Sequence, residues 1–170
     1  ILPIMDGKDI IAQAQSGTGK TGAFCIGTLS VIDYSNNNTQ VILLSPTREL
    51  ANQTFQVLEN LGKYILNDSL KLLIGGTNFE NKEITSKVIV GTPGRIYDLL
   101  KKDIIYVNNI KLIILDEADE MLSAGFKEQI YTIFQYLSNE INSCSFYDPN
   151  GHFVLFYVDM YSYILVYQSL

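Results

Sequence analysis

The stretch Ala14–Thr21 carries residue types and a spacing that suit the binding of phosphate groups. It reads Ala-x-x-x-x-Gly-Lys-Thr, and Gly17 and Gly19 let successive backbone N–H groups turn inward to form an anion-binding nest. Lys20 adds a positive charge for the β- and γ-phosphates of a nucleotide, and Thr21 offers a hydroxyl to Mg²⁺. The alternative is a glycine-rich turn that happens to carry a lysine. An apolar run before the loop and a helical run after it favour a phosphate-binding loop.

Two adjacent acids, Asp116 and Glu117, follow four apolar residues and form a second candidate for chemistry. A carboxylate at this place suits Mg²⁺ binding through water, and we assign that role to Asp116. Glu117 would then orient and activate the attacking water. The alternative is the solvated acidic start of a helix, a position that acids favour. The phosphate-binding loop upstream favours the interpretation as a site for phosphoryl transfer.

The chain has two arginines, Arg48 and Arg95, and each lies beside Pro and Thr in a loop-like stretch. Each could contact a phosphate of a nucleic-acid strand, which would be a sequence-independent contact. The hydroxyls and backbone amides expected nearby belong to Thr47, Thr92, Gly75, Gly76 and Gly94. The alternative is a structural ion pair at the start of a helix, and the residues alone leave both interpretations open.

Continuous apolar runs separated by helical patterns predict the elements that position these residues. Strands are predicted at about 9–14, 40–45, 70–74, 88–90 and 111–115, and helices at about 22–32, 48–66, 96–101 and 126–138. Such an alternation indicates a parallel sheet covered on both faces. Every candidate segment follows a predicted strand, and ligands of open α/β sheets bind at the carboxyl ends of the strands.

Composition limits the functional classes. The 170 residues are 47% apolar and 18% charged, which is typical of one globular domain with its own core. The net charge of −6 argues against a broad basic surface for nucleic acid, so any such contact must be local. Cys25 and Cys144 show no disulfide or metal spacing, and Cys25 is expected to be a core residue in a reducing compartment.

Five motifs match, in order and spacing, those of the first RecA-like domain of DEAD-box RNA helicases. They are Ala14–Thr21, Pro46–Ala51, Gly75–Gly76, Thr92–Arg95 and Asp116–Asp119. The wider stretches 11–16, 74–78 and 116–127 resemble the members of this family that act in translation initiation. The resemblance covers about residues 1–140 and implies an α/β fold of the P-loop NTPase, RecA-like type, with a mostly parallel sheet and helices on both faces.

The resemblance also implies ATP-dependent RNA unwinding with ATP and Mg²⁺ as cofactors. It assigns ATP to Ser16, Gly17, Thr18, Gly19, Lys20 and Thr21, catalysis to Lys20, Asp116 and Glu117, and Mg²⁺ to Thr21 and, through water, Asp116. It assigns the RNA backbone to Pro46, Thr47, Arg48, Gly75, Gly76, Thr92, Pro93, Gly94 and Arg95. We expect the protein to be a cytoplasmic monomer. Its expected partners are translation-initiation scaffold proteins, and no membrane contact is expected.

The chain departs from the family pattern in several places. The adenine-reading motif expected upstream is missing, as is the second helicase domain, so we interpret the chain as a fragment. The strand expected to end in Ser-Ala-Thr is also missing: Val154–Phe156 resembles its apolar part, but Tyr157–Asp159 takes the place of the motif. Asp119, which the family uses to couple hydrolysis to unwinding, thereby loses its expected partner. We therefore divide the chain into a domain at 1–140 and an atypical tail at 141–170, and the alternative function is a truncated nucleotide-binding module without helicase activity.

The tail is rich in Tyr and Phe and has three interpretations. It can be a transcript or gene-model artefact, such as an unspliced intron, a genuine alternative end whose strand completes the sheet, or a membrane segment. The last is the weakest, because Asp159 lies inside the apolar run. His152 has no second ligand nearby and is expected to be a loop residue.

Overall fold

The computed structural model of the chain describes residues 1–7, 10–13, 17–66, 68–76, 84–123, 125–140 and 163–168. The helices are α1 (Leu2–Met5), α2 (Lys20–Val31), α3 (Arg48–Leu61), α4 (Pro93–Lys101), α5 (Ala118–Ser123) and α6 (Lys127–Glu140). The strands are β1 (Ile10–Gln13), β2 (Val41–Leu44), β3 (Leu70–Leu73), β4 (Val88–Gly91), β5 (Leu112–Asp116) and β6 (Tyr163–Gln168). The predicted tail segment at 154–159 and His152 lie outside the described residues.

The strands form one sheet in the order β1-β6-β5-β2-β4-β3. The pairs β5–β2, β2–β4 and β4–β3 are parallel, with Val41 opposite both Val88 and Leu112. Every residue of β2, β4 and β5 is buried, because helices cover both faces of these strands. The prediction of a mostly parallel sheet with helices on both faces is confirmed.

Successive strand residues point to opposite faces, so each strand contributes to two separate cores. Ile42 and Leu44 belong to one core, which they share with buried residues of α4, α5 and α6. Val41 and Leu43 belong to the other, together with buried residues of α1, α2 and α3. The sheet is therefore a middle layer that fixes how the loops at its ends are placed relative to each other.

Three helices differ from the sequence-based expectation. The helix predicted at 96–101 begins at Pro93, so Arg95 lies in its first turn and not in a loop. The helix predicted to reach residue 66 ends at Leu61, and Gly62 caps it by donating its backbone N–H to the carbonyl of Leu58. Leu66 then folds back so closely that a β-carbon on Gly62 would lie 2.6 Å from Leu66 Cδ1. Helix α5 was not predicted, because its six residues are too few to show an apolar period.

Strand β6 comes from the tail and lies between β1 and β5, antiparallel to both. Ile10 pairs with Val166 and Gln13 with Tyr163, and Asp116 pairs with Ile164 on the other side. Among the strands that the structure describes, β6 is the one partner of β1. The strand that leads into the phosphate-binding loop thus joins the rest of the sheet through the tail.

The amino ends of β2 and β4 are held by a polar network. The fully buried Gln40 accepts the backbone N–H of Asp33 at 2.8 Å and donates to the carbonyl oxygens of Asp33 and Asn36. Lys87, 5% exposed, donates from Nζ to Asn36 O and to Asn37 Oδ1, each at 2.7 Å. The polar loop after α2 is therefore fixed at the edge of the sheet opposite to the candidate site.

Of the helices in the described part of the chain, none combines the length and the apolar character needed to cross a membrane.

Candidate functional site at the carboxyl edge of the sheet

All five candidate segments lie at the carboxyl ends of strands, as the sequence predicts for a parallel sheet. The strand order divides them into two groups. The glycine-rich loop after β1 and the acids after β5 flank β6 on one side of the edge. The two arginine-containing segments and the Gly75–Gly76 turn follow β2, β4 and β3, which are neighbours on the other side. One edge therefore offers two adjoining areas, one with the phosphate-binding motif and one with the arginines.

The phosphate-binding loop is described from Gly17 onward, whereas Ala14–Ser16 lie outside the described residues. Gly17 and Gly19 have φ of 78° and 89°, a left-handed conformation that favours glycine. Gly19 is the N-cap of α2 and provides no side-chain cap, so α2 begins with backbone N–H groups directed toward the loop. Lys20 and Thr21 are the first two residues of this helix. The loop has the local geometry that an anion-binding helix start requires.

Asp116 is the last residue of β5 and is 7% exposed. Its pKa is raised from 3.8 to about 6, first by burial of the carboxyl and second by the negative charge of Glu117. The positive charge of Lys20 and the nearby backbone N–H of Glu117 lower this pKa. Lys20 is therefore within electrostatic reach of Asp116, and the fold brings the phosphate-binding loop and the acidic pair together.

Glu117 adopts a left-handed conformation with φ of 55°, which is uncommon for a residue with a β-carbon. Its side chain is partly exposed, and its carbonyl accepts the N–H of Met121 at 3.1 Å, which starts α5. Asp119 is exposed in the first turn of that helix. Sequence reasoning missed the unusual backbone of Glu117, because nothing about a glutamate signals a positive φ.

The oxygen atoms of Asp116 and Thr21 are ligands of the type that Mg²⁺ prefers. Within the described residues there is no cluster of three or more His, Cys, Asp or Glu side chains that could hold a metal ion. Mg²⁺ does not require one, since it commonly binds one or two carboxylates together with phosphate oxygens and water. Asp116 supplies a buried carboxylate, whose pKa is raised by burial and by the neighbouring charge of Glu117, and Thr21 supplies a hydroxyl at the start of α2.

Cys25 lies on α2 in the core beneath this site and is fully buried. Burial, with a smaller contribution from the charge of Asp116, raises the pKa of its thiol to about 12. The thiol is therefore neutral at physiological pH, and its place in the core agrees with the expectation from the sequence.

Arg48 lies against the Gly75–Gly76 turn. It is the first residue of α3 and is exposed, and its Nη2 and Nη1 are 3.2 and 3.3 Å from where β-carbons on Gly75 and Gly76 would stand. Gly76 has φ of 87°, so the turn itself also favours glycine. Arg48 has no carboxylate within ion-pair distance among the described residues. The structural ion pair left open by the sequence is thus not seen for Arg48.

Backbone hydrogen bonds hold the segments that follow β2, β3 and β4 side by side. The N–H of Ser45 donates to Gly91 O at 3.0 Å, and the N–H of Thr92 donates to Leu73 O at 3.3 Å. Thr47 caps α3 by accepting the N–H of Leu50 on its hydroxyl at 3.2 Å. Pro46 and Pro93 are buried, Gly94 is partly buried, and Thr92 is the N-cap of α4 without a side-chain cap bond.

Unlike Arg48, Arg95 lies within ion-pair distance of a described carboxylate. Its Nη1 lies 3.3 Å from Oδ2 of Asp98, and its side chain is 17% exposed. The same Asp98 oxygen accepts a bond from Lys102 Nζ at 3.0 Å. The ion-pair alternative is therefore realised at Arg95, and Asp98 is a neighbour that the motif alone did not indicate.

The chain matches known proteins over most of its length. The family model described as "DEAD/DEAH box helicase" matches residues 1–155. Eukaryotic initiation factor 4A-1 of Arabidopsis thaliana is 50% identical over 145 residues, which are 83% of this chain and 35% of that protein. The ATP-dependent RNA helicase eIF4A of Debaryomyces hansenii is 49% identical over 141 residues, 81% of this chain and 35% of that protein.

A solved structure of S. cerevisiae Dbp5 bound to RNA and ADP BeF3 superimposes with a TM-score of 0.71. It is 38% identical and covers 75% of this chain and 33% of that chain. The chain thus spans about a third of the length of the curated relatives it matches. The family match covers most of the chain, and the fold and motif order agree with it, so the chain belongs to the DEAD/DEAH box helicase family.

Proposed function

We propose that this chain is the ATP-binding part of an ATP-dependent RNA helicase that acts in translation initiation. The observation that carries the proposal is the approach of Lys20 and Asp116 at the same sheet edge where Arg48 covers Gly75 and Gly76. One edge then has a place for a nucleotide next to a place for a phosphate backbone. The relatives from A. thaliana and D. hansenii, both initiation factors 4A, support the biological setting.

ATP would bind at Ser16–Thr21, with Lys20 on the β- and γ-phosphates. Thr21 and, through water, Asp116 would hold Mg²⁺, which supplies charge neutralisation at the phosphate oxygens. Glu117 would orient the attacking water and accept its proton, and its partly exposed side chain leaves the carboxylate accessible. Lys20, Asp116 and Glu117 are thus the proposed catalytic residues.

RNA would bind through its backbone on the neighbouring area. Arg48 presents an exposed guanidinium above two glycines, where a phosphate can approach both the charge and the backbone amides. The proposed contacts are Pro46, Thr47, Arg48, Gly75, Gly76, Thr92, Pro93, Gly94 and Arg95. Since the net charge of the chain is −6, the affinity must come from these few contacts. Binding is expected to be independent of sequence and to weaken with salt.

The remaining assignments follow from the family. Asp119, exposed at the start of α5, is the proposed group that couples hydrolysis to unwinding. Residues 1–140 form the proposed helicase domain and 141–170 a distinct tail. We further propose a cytoplasmic monomer that binds translation-initiation scaffold proteins and no membrane.

A second candidate is a nucleotide-binding module that does not unwind RNA. Strand β6 favours it, because this segment lies beyond the matched residues 1–155 and runs antiparallel to β1 and β5. RNA-duplex unwinding by these 170 residues alone would exclude the second candidate.

The test compares Lys20→Ala with Lys63→Ala, which removes an exposed lysine two residues beyond the end of α3. The Lys20 change should abolish ADP and ATP binding, whereas the Lys63 change should leave it intact. In the full-length protein, Glu117→Gln should bind ATP and stop hydrolysis, and RNA but not DNA should stimulate the unmodified enzyme. Unchanged nucleotide affinity in Lys20→Ala would remove the assignment of the phosphate-binding loop.

A further inference from the structure

Ser45, the residue after β2, has a buried hydroxyl group without a hydrogen-bond partner in the described part of the chain. The residue is 0% exposed, so water does not reach the hydroxyl either. Most buried polar side chains in folded proteins are hydrogen-bonded, because burial of an unbonded hydroxyl costs free energy. Next to a binding site, one explanation for such a hydroxyl is a hydrogen bond that forms only when the site is filled.

The sheet places Ser45 beside Asp116. In the parallel ladder of β2 and β5, Leu44 is opposite Leu115, so one residue further along Ser45 is opposite Asp116. The backbone N–H of Ser45 donates to the carbonyl of Gly91 at 3.0 Å, so Ser45 still follows the direction of β2. Neighbouring strands lie about 5 Å apart, and residues opposite each other point to the same face of the sheet. The two side chains are therefore neighbours.

Both side chains lie on the face of the sheet that α2 covers. Alternate residues of β2 and β5 belong to the core that this face shares with α1, α2 and α3: Val41, Leu43, Leu112 and Ile114. Ser45 and Asp116 continue the same alternation. Cys25 of α2 belongs to that core, and Lys20 begins the helix. The hydroxyl of Ser45 thus lies on the same side of the sheet as the phosphate-binding loop.

Ser45 has a second polar neighbour, Thr92, on its other side. Leu44 is opposite Gly91 of β4, so Thr92 is opposite Ser45. Thr92 offers a neutral hydroxyl, whereas Asp116 offers a carboxylate that is 7% exposed. Hydrogen bonds to an ionised acceptor are about twice as strong as those between neutral groups. Asp116 is therefore the favoured acceptor for the Ser45 hydroxyl.

We propose that Ser45 is a positioning residue for Asp116: its hydroxyl donates to the carboxylate when nucleotide and Mg²⁺ bind, and so fixes the orientation in which the carboxylate holds the ion. This inference rests on the proposed function, which assigns Asp116 to Mg²⁺, and adds Ser45 to that site. A bound nucleotide covers the carboxylate and removes its remaining contact with water, which strengthens a hydrogen bond from a donor already beside it. Hydrogen bonds that orient a ligating carboxylate commonly change metal affinity by about 10- to 100-fold, so the role is measurable.

Ser45→Ala removes the hydroxyl, and Thr39→Val is the matched control. Thr39 is 2% exposed, and its hydroxyl also lacks a partner among the described residues. It precedes β2 and so lies at the end of the strand opposite to the site. Thr92→Val removes the other polar neighbour of Ser45. The three variants therefore compare the loss of a hydroxyl beside Asp116 with the loss of one at a distance and of one on the other side.

The experiment measures the affinity of the chain and its variants for ADP, once with Mg²⁺ and once with a chelator. The ratio of the two affinities is the gain due to Mg²⁺. We expect Ser45→Ala to lose about tenfold or more of this gain, and Thr39→Val and Thr92→Val to keep it. Affinity in the chelator should be the same for all of them. An equal gain in Ser45→Ala and the unmodified chain would overturn the inference.

Thermal unfolding without nucleotide separates positioning from a structural role. Because the hydroxyl of Ser45 has no partner in the nucleotide-free chain, Ser45→Ala should melt at the same temperature as the unmodified chain or above it. A lower melting temperature would show that the hydroxyl already stabilises the folded chain, and this result would also contradict the inference.

Asp116→Asn distinguishes a failure of this inference from a failure of the proposed function. It should itself remove most of the gain due to Mg²⁺, and Ser45→Ala should have little further effect once Asp116 is replaced. A gain that survives in Asp116→Asn would remove the assignment of Asp116 to Mg²⁺, and the inference with it. A gain that is lost in Asp116→Asn but kept in Ser45→Ala would overturn the inference alone.

Discussion

The guanidinium of Arg48 lies against the backbone of Gly75, with Nη2 3.2 Å from the position that a β-carbon would take on that glycine. At this distance a methyl group fits only if the arginine moves. Two segments that are separate in the sequence, one after β2 and the other after β3, therefore contact each other at this edge of the sheet.

We predict that Gly75→Ala weakens RNA binding by displacing Arg48. The expected loss is about tenfold or less, close to the value of one charged hydrogen bond, and ADP affinity should not change. RNA affinity can be measured by fluorescence anisotropy at several salt concentrations.

A double-mutant cycle with Arg48→Gln is the control for this mechanism. If Gly75→Ala acts through the arginine, it should have little further effect once Arg48 is replaced. Fully additive effects would show that the two residues contribute independently.

Asp116→Asn should stabilise the nucleotide-free chain at neutral and alkaline pH. The pKa of Asp116 is raised from 3.8 to about 6 in the folded state, so the folded state binds the proton more tightly than the unfolded state. Stability from this group is therefore present at low pH and is lost as pH rises from about 4 to 6, by up to about 3 kcal/mol. Because Asp116→Asn removes the negative charge, it should restore the stability that is lost at higher pH.

Thermal or urea unfolding in a chelator would measure this effect near pH 8 and near pH 4.5. The advantage of the Asn variant should be large at the higher pH and small at the lower one. A less stable Asn variant at the higher pH would contradict the assigned effect of burial.

Lys87→Met should lower stability without changing nucleotide affinity. It removes two charged hydrogen bonds of 2.7 Å, to Asn36 O and Asn37 Oδ1, and the expected loss is about 1–3 kcal/mol. Nucleotide affinity should be unchanged because the network lies at the amino ends of β2 and β4, opposite to the site. Lys63→Met, at an exposed position, is the matched control and should be neutral; equal stability of both variants would contradict the prediction.

Gly91→Ala should be strongly destabilising, by about 3 kcal/mol or more. A β-carbon there would overlap the carbonyl oxygen of Leu73 and lie 2.9 Å from Ile96 Cδ1, so both β3 and α4 would have to shift. Gly22→Ala is the comparison, because nothing lies within 4 Å of its β-carbon position and alanine favours the helix by up to about 1 kcal/mol. Chemical denaturation of both variants checks the contrast, and similar stabilities would refute it.

Val166→Pro should loosen β1 from the sheet and weaken nucleotide binding. Val166 pairs with Ile10 on one side and Ile114 on the other, and proline removes a backbone donor from this ladder. Hydrogen exchange should become faster in residues 10–13 than in β2 or β4. Val166→Thr keeps the donor and the β-branched backbone preference and serves as the control. Unchanged exchange in residues 10–13 of the proline variant would show that β6 does not hold β1.

The fold class, the strands β1 to β5 and the positions of the candidate motifs could be predicted from the sequence, because each depends on nearby residues. Apolar runs indicated the buried strands, and Gly17, Gly19, Lys20 and Thr21 indicated a phosphate-binding loop by type and spacing alone. The acids Asp116–Glu117 were recognised for the same reason. These signals are local. Because the strands are parallel, the motifs that follow them lie together at one edge of the sheet.

Only the tertiary structure showed which neighbours the two arginines have. Arg48 lies on Gly75 and Gly76, whereas Arg95 pairs with Asp98, and both motifs had looked alike. The sequence also did not predict the left-handed backbone of Glu117 or the position of β6 between β1 and β5. Such features depend on which segments meet in space, and pairing between distant strands leaves no periodic signal in the chain.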